Sequence, residues 1–354
     1  MTRLSRHVSL TVLNAMLLVQ LLLLGLDLVF SFIGELDRTS GDYGALEAFR
    51  YVALSLPRHV YDILPMSALI GALVGLGTLA SASELTVMRA AGISTLRIVW
   101  WVMRGALLII ALGLFLGEKV VPVTERLADS GKARAQGQDY QANRFSGYWQ
   151  REGDEIFNIR QVDLAGELIG ISRFRHDDEG RLVSASFAEA GRWDGKGWRL
   201  TGVRETRIAG DGRSRISHQA EVSWPVSITP EFLSVAASNP EQLGLADLLT
   251  YARYLKAQKL DAGAWELQFW KKLLAPVAVF SMVLVACSFI FGPLRSVTLG
   301  LRIITGVLVG LLFRYTQDAF GFASLVFHWS PLVALLIPVL GCLMAGLWAL
   351  YRVR

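Results

Sequence analysis

Six stretches of this chain, at about residues 8–33, 63–82, 98–121, 273–294, 299–323 and 331–351, are nearly free of charge and long enough to cross a bilayer. A helix needs about 20 mostly apolar residues to cross a hydrocarbon core of about 30 Å, where every unpaired backbone group costs several kcal/mol. That requirement restricts the chain to an α-helical membrane protein with six transmembrane helices. Composition agrees, since 53% hydrophobic and only 18% charged residues, with a mean hydropathy of +0.42, lie outside the soluble range. The first stretch is too long for a cleavable signal peptide and lacks its small-residue cleavage site.

Most of the 35 basic and 30 acidic residues fall between Glu118 and Lys272, which predicts a water-exposed insert between two membrane blocks. The expected division is residues 1–135 for the first block, 136–235 for the insert, 236–264 for a connection, and 265–354 for the second block. Orientation follows from bases in the short loops. Arg3 and Arg6 precede the first helix, Arg89 and Arg97 lie between the second and third, Arg295 and Arg302 between the fourth and fifth, and Arg352 and Arg354 end the chain. All share one side, which places both termini in the cytoplasm and, in a bacterium, the insert in the periplasm.

Within the insert the hydrophobic period becomes two, with expected strands at 155–162, 168–175, 182–193, 198–208 and 216–226. Turn residues separate them, including Asp177 to Gly180, Asp194 to Gly197 and Gly210 to Gly212. This pattern predicts an antiparallel meander, an inserted all-β domain of sandwich or jelly-roll-like form. Residues 245–260 read as a short amphipathic helix, with Leu248, Leu249, Ala252 and Leu255 at helical spacing.

Several chemistries are excluded. No G-x-x-x-x-G-K-[ST] loop is present to cradle a nucleotide, and neither H-E-x-x-H nor G-x-S-x-G occurs. The five histidines are scattered, and both cysteines, Cys287 and Cys342, sit in apolar runs, so no catalytic or metal site and no bound cofactor is expected. Two intramembrane polar groups call for partners: Asp27 in the first span, and Arg314 in the fifth, whose insertion costs about 2.5–3.5 kcal/mol when unpartnered. Asp318 is four residues after Arg314, so the spacing allows either an internal ion pair or a pair facing a cavity. Gly306 and Gly310 form a small-xxx-small pair suited to close helix packing.

Between the second and third spans, residues 79–92 read LASASELTVMRAAG, and residues 288–296 before the fifth span read SFIFGPLRS. Both segments resemble the LptF/LptG family of lipopolysaccharide export permeases, and residues 288–296 resemble its LptG branch more than its LptF branch. The plan of three spans, a β domain and three further spans matches that family over nearly the whole chain.

The resemblance implies a permease subunit of an ABC-type exporter that extracts lipopolysaccharide from the bacterial inner membrane. Its implied partners are a companion permease LptF, an ATPase dimer LptB that uses ATP and magnesium, the single-span LptC, and a periplasmic β-jellyroll bridge that includes LptA. Nucleic acid is not among the expected partners. The segment 82–92 becomes a coupling helix: Ser83 is the expected N-cap, Glu84 faces the ATPase, Leu85 and Met88 fill its groove, and Arg89 lies alongside.

Lipopolysaccharide carries phosphates beside several acyl chains, which makes Arg38, Lys132, Arg134, Lys271, Lys272 and Arg314 the candidate charged contacts. By position, Lys132 corresponds to a basic residue of the family. The end of the first span departs from relatives with several lysines there, because Arg38 stands beside Glu35 and Asp37. Leu24, Leu26, Phe30, Leu308, Leu311 and Phe313 are the candidate apolar cavity or gate residues, since the family's first and fifth spans border its lateral gates. The rival reading is a mechanotransmitting membrane subunit that moves its periplasmic domain without carrying lipid.

Overall fold

The computed structural model describes residues 2–352 except 40–42, 136–147, 163–166, 178, 196, 209–212, 227, 231–232, 234–238, 258–259 and 293–296. Of residues 2, 133, 134, 148, 161 and 162 only the backbone is described. The Arg134 side chain, Arg295, Arg354 and the Gly210 to Gly212 turn therefore lie outside the described residues.

Among the described residues, six helices are long and apolar enough to span a membrane. They are α1 (Thr2–Leu36), α2 (Ala45–Ser81), the continuous pair α4 (Thr95–Phe115) and α5 (Val121–Ala135), α7 (Gly263–Phe291), α8 (Leu299–Val326) and α9 (Pro331–Arg352). A short α3 (Glu84–Ala90) joins α2 to α4, and α6 (Leu245–Ala257) leads into α7.

Three spans run further than hydropathy indicates. Helix α2 begins at Ala45 rather than near 63, because its early polar side chains find partners: Arg58 with Asp62, Glu125 and Glu241, and His59 with Asp27. Asp27 is thus a partnered group. The third span continues from α4 through a π-helical turn, Leu116–Val120, into α5, and α7 starts at Gly263. Pro122 explains the turn. It has no amide to donate to the carbonyl four residues back, so the ladder widens there, and the Val121 amide reaches the Leu116 carbonyl instead.

Small residues set the helix crossings. A Cβ on Gly71 would stand 2.3 Å from the Met16 Cα, so α1 and α2 touch backbone to backbone. Gly306 and Gly310 pack α8 on Leu73, Ile70 and Met66 of α2, as their spacing predicts.

The insert is an antiparallel six-stranded sheet in sequential order: β1 (Tyr148–Glu152), β2 (Glu155–Val162), β3 (Leu168–His176), β4 (Leu182–Trp193), β5 (Trp198–Ile208) and β6 (Ser214–Trp224). Alternation places Phe157, Ile159, Leu168, Ile171, Trp198, Leu200 and Trp224 in its core, with Ile228 and Leu233 from the following segment. The Trp198 indole donates to the Ile228 carbonyl at 2.7 Å, which satisfies a polar group that burial would otherwise strand. Strand β1 is absent from the sequence expectation because its alternation is inverted: Trp149 is exposed and stacks on Phe174, while Gln150 is buried.

Candidate functional site

Two polar clusters mark opposite ends of the bundle. At the end away from the sheet, α3 follows Ser83, whose φ of 60° puts it in the left-handed region. The expected Ser83 side-chain cap is therefore absent: the residue turns the chain, and only its carbonyl joins the helix, by accepting from Val87. Leu85 and Met88 do share a face, but it turns inward, where they are 5% and 4% exposed in the membrane core. The expectation that these two side chains enter a partner's groove is corrected accordingly, since an apolar i,i+3 pair at a bundle edge is most readily buried on its own helices. The outward surface of α3 is formed by Thr86, Val87 and Arg89, with Glu84 half-exposed and 2.9 Å from the His7 imidazole of α1.

Beside α3, Arg302 departs from its expected place in a loop. It lies in the first turn of α8, 2% exposed, with Nη1 donating to the Gly77 carbonyl at 2.8 Å in the last turns of α2. A guanidinium thereby joins the start of α8 to the helix that ends at α3. The positive-inside count detects the charge but not its burial.

At the sheet end, Glu35 is buried and accepts from the Tyr43 hydroxyl at 2.6 Å and from Lys132. The Lys132 ammonium lies over the Tyr51 ring at 4.6 Å, an arrangement in which ring and carboxylate both favour the cation. Burial first, and the bond to Glu35 second, push the Tyr43 phenol well above the ordinary tyrosine range, so it stays a donor. Arg38 is exposed and reaches Glu35 only at 3.8 Å.

Next to this group, Arg58 serves three carboxylates: Glu241 at 2.7 Å, and Asp62 and Glu125 at 3.6 Å. Glu125 is fully buried and also accepts from the Gln242 amide. Lys272 is buried and donates to the Gly117 carbonyl in the π turn and to the Leu243 carbonyl. Glu118 in turn accepts from the Leu245 amide at the start of α6, a carboxylate at a helix N-terminus. These contacts fasten the sheet's return segment onto the bundle.

Between α2, α4, α7 and α8 lies a cavity of about 380 Å³. Arg58, Asp62, Lys271, Lys272, Arg314 and Asp318 line one part, and Met66, Phe313 and Met282 another. Asp318 pairs with Lys271 across the helices at 2.9 Å, not with Arg314, so the i,i+4 ion pair is not formed. Arg314 has no ion pair among the described residues, although its charge acts on Asp62.

The structure thus gathers Lys271, Lys272, Arg314 and Phe313 into one cavity and separates them from the other candidates. Lys132 belongs to the Glu35 cluster. Leu26, Phe30 and Leu308 lie on exposed outer faces, Leu311 is half-buried, and Leu24 is buried. Sequence reasoning missed Arg58, Asp62, Glu125 and Glu241; the one local signal was the i,i+4 pair Arg58 and Asp62 just before the second apolar stretch.

The sequence model of the family described as "Lipopolysaccharide export system permease LptF/LptG" matches residues 6–352. An Escherichia coli K12 protein named "Lipopolysaccharide export system permease protein LptG" is 34% identical over 352 residues, covering 99% of this chain and 98% of the relative. A Haemophilus influenzae protein of the same name is 32% identical over 354 residues, 99% of each chain.

Proposed function

The chain belongs to the LptF/LptG family of lipopolysaccharide export permeases, and on that premise we propose that it is the LptG-type permease subunit of a lipopolysaccharide exporter. What carries the reading is the likeness to LptG proteins over 99% of the chain, six spans and β insert included. The companion permease LptF, an LptB ATPase dimer using ATP and magnesium, LptC and an LptA-containing bridge complete the machine in this proposal. The bundle sits in the inner membrane, both termini in the cytoplasm and the sheet in the periplasm.

Helix α3 receives the ATPase through Glu84, Thr86, Val87 and Arg89, while Leu85 and Met88 make it rigid with α2. Arg302 passes the displacement from α2 to α8. The outward apolar faces of α1 and α8, carrying Leu26, Phe30, Leu308 and Leu312, then border the route of the acyl chains, with Arg38 exposed at its sheet end to meet a phosphate. Extraction requires the affinity for lipid to fall when these faces close, since a state with equal affinity moves nothing.

Site-specific photocrosslinking in cells tests this, with probes at Phe30, Leu308 and Phe174. ATP-dependent lipopolysaccharide adducts at all three positions are expected. Their absence from an assembled complex that still hydrolyses ATP would favour the mechanotransmitting reading instead.

A further inference from the structure

The cavity inside the subunit has the wrong charge for the exported lipid. Its volume of about 380 Å³ is near the bottom of the roughly 300–1,000 Å³ range of small-molecule pockets. That is room for one acyl chain, so the choice among lipids falls to the head group. Its lining is graded. Met66, Ile110, Met282 and Phe313 supply an apolar part, and the charged residues gather toward the sheet end, where Glu241 joins them from the return segment.

The charges are balanced in number but not in position. Counting Glu125 behind Arg58, four acids (Asp62, Glu125, Glu241 and Asp318) stand with four bases (Arg58, Lys271, Lys272 and Arg314). Three of the acids converge on Arg58, and Lys272 is spent on two backbone carbonyls. This leaves carboxylate in excess on the α2 side, where the Asp62 side chain is 46% exposed, and on the α8 side a guanidinium, Arg314, that has no ion pair among the described residues. A bis-phosphorylated lipid would bring charge of one sign to a wall that carries both. A head group bearing one anion and one cation matches it, with the anion on Arg314, which has no ion pair among the described residues, and the cation on Asp62, one of three carboxylates that share Arg58.

We propose that this cavity binds one zwitterionic aminoalkyl phospholipid, of the phosphatidylethanolamine type, its phosphodiester at Arg314, its ammonium at Asp62, and one acyl chain along Met66, Met282 and Phe313. Leu114 of α4 and Phe322 of α8 line the cavity and are themselves exposed, so it opens to the outside of the bundle, where a bilayer lipid enters. Neither α1 nor Leu308 or Leu312 of α8 lines the cavity, so the site does not depend on the export route.

The test uses the complete exporter complex in nanodiscs with photoactivatable lipids, the label in the acyl chain, and peptide mapping of adducts. Phosphatidylethanolamine is expected to label α2, α7 or α8 at the cavity at least tenfold more than phosphatidylglycerol of the same chain length. Arg314→Gln is expected to reduce that labelling about tenfold, and Ala275→Trp, which fills the cavity without removing a charge, to abolish it. Complex assembly and basal ATP hydrolysis report that both variants fold. A lysophospholipid arm identifies the source: labelling by it alone points to a free single-chain lipid, and labelling by the diacyl form points to the bilayer. Equal or stronger labelling by phosphatidylglycerol or lipopolysaccharide at these peptides, or undiminished labelling in a folded Ala275→Trp complex, overturns the proposal.

Discussion

In the β insert, Arg181 with Glu179 and Arg192 with Glu167 form their ion pairs on largely open side chains, whereas in the bundle Arg58 reaches a Glu125 carboxylate that is fully buried. Exposed pairs of the first kind are worth about 0.2–1 kcal/mol, because water competes for both partners. Removing one partner of a buried pair costs about 3–5 kcal/mol, since the other charge is then stranded. Apart from the largely buried pair of Arg173 with Glu155, the sheet is therefore held by its apolar face and tolerates changes of charge. The bundle's sheet end is held by charges that must remain matched.

Arg58→Ala is the strongest way to break this contrast. It leaves Glu125, Asp62 and Glu241 without their base, and heating of the detergent-purified chain should show a loss of about 3–5 kcal/mol. Adding Glu125→Ala should restore more than half of that loss, because the fully buried charge is then gone. Equal instability in the single and double variants would show that Glu125 is not coupled to Arg58.

The same contrast explains what is legible in the sequence. Strands β2, β4 and β5 begin and end where period-two alternation begins and ends, because one face is buried and each residue's side is fixed by its parity. Strand β1 escapes because Trp149 points out and Gln150 in. The spans are placed correctly but cut short, since hydropathy counts Arg58, Asp62, Glu118 and Lys272 as water-seeking without knowing that each has a partner. The candidate site divides along the same line. Residue type singles out Lys271, Lys272 and Arg314, but only the packing of α2 against α7 and α8 shows that they share a cavity, and that Asp318 prefers Lys271 to its own helix neighbour.

Gly77→Ala addresses the opposite end of the bundle. Its new Cβ would lie 2.6 Å from the Arg302 Nη1, so the guanidinium has to leave the Gly77 carbonyl. A hydrogen bond from a charged group is worth about 1.5–3 kcal/mol. Gly77→Ala and Arg302→Met should both lower export while the complex still assembles and hydrolyses ATP. Normal export by either variant would remove this contact from the transmission route.

Glu84→Ala disturbs stability less, because its His7 partner is half-exposed and such pairs contribute about 0.2–1 kcal/mol. Its expected effect is on coupling: ATPase association or ATP-driven export declines, while the unfolding temperature barely moves. Val87→Glu should reproduce the decline from the outward face of α3, and Leu85→Ala should instead destabilise the bundle, since Leu85 packs in the core. Unchanged export with Glu84→Ala would remove this side chain from the mechanism.

The smallest effect belongs to the exposed β3–β4 turn, where Asp177 accepts from the Arg181 amide at 2.8 Å, the Glu179 amide at 3.0 Å and the Arg181 guanidinium at 2.9 Å. These bonds, the Arg181 amide first, hold its carboxyl below the usual aspartate range. A depressed folded-state value means that the contribution is fully present above the unfolded value of about 3.9 and is lost as pH falls through the folded value. Hydrogen exchange of the 176–182 amides in the whole chain, corrected for intrinsic rates, should show protection from pH 7 to about 4.5 that declines below about pH 4. Asp177→Ala should lower protection throughout and flatten its pH dependence, leaving the α3 amides unaffected. If the variant keeps the wild-type profile, the turn is held by the β3–β4 ladder and Gly180 alone, and the contrast between an open sheet and a charge-locked bundle becomes sharper still.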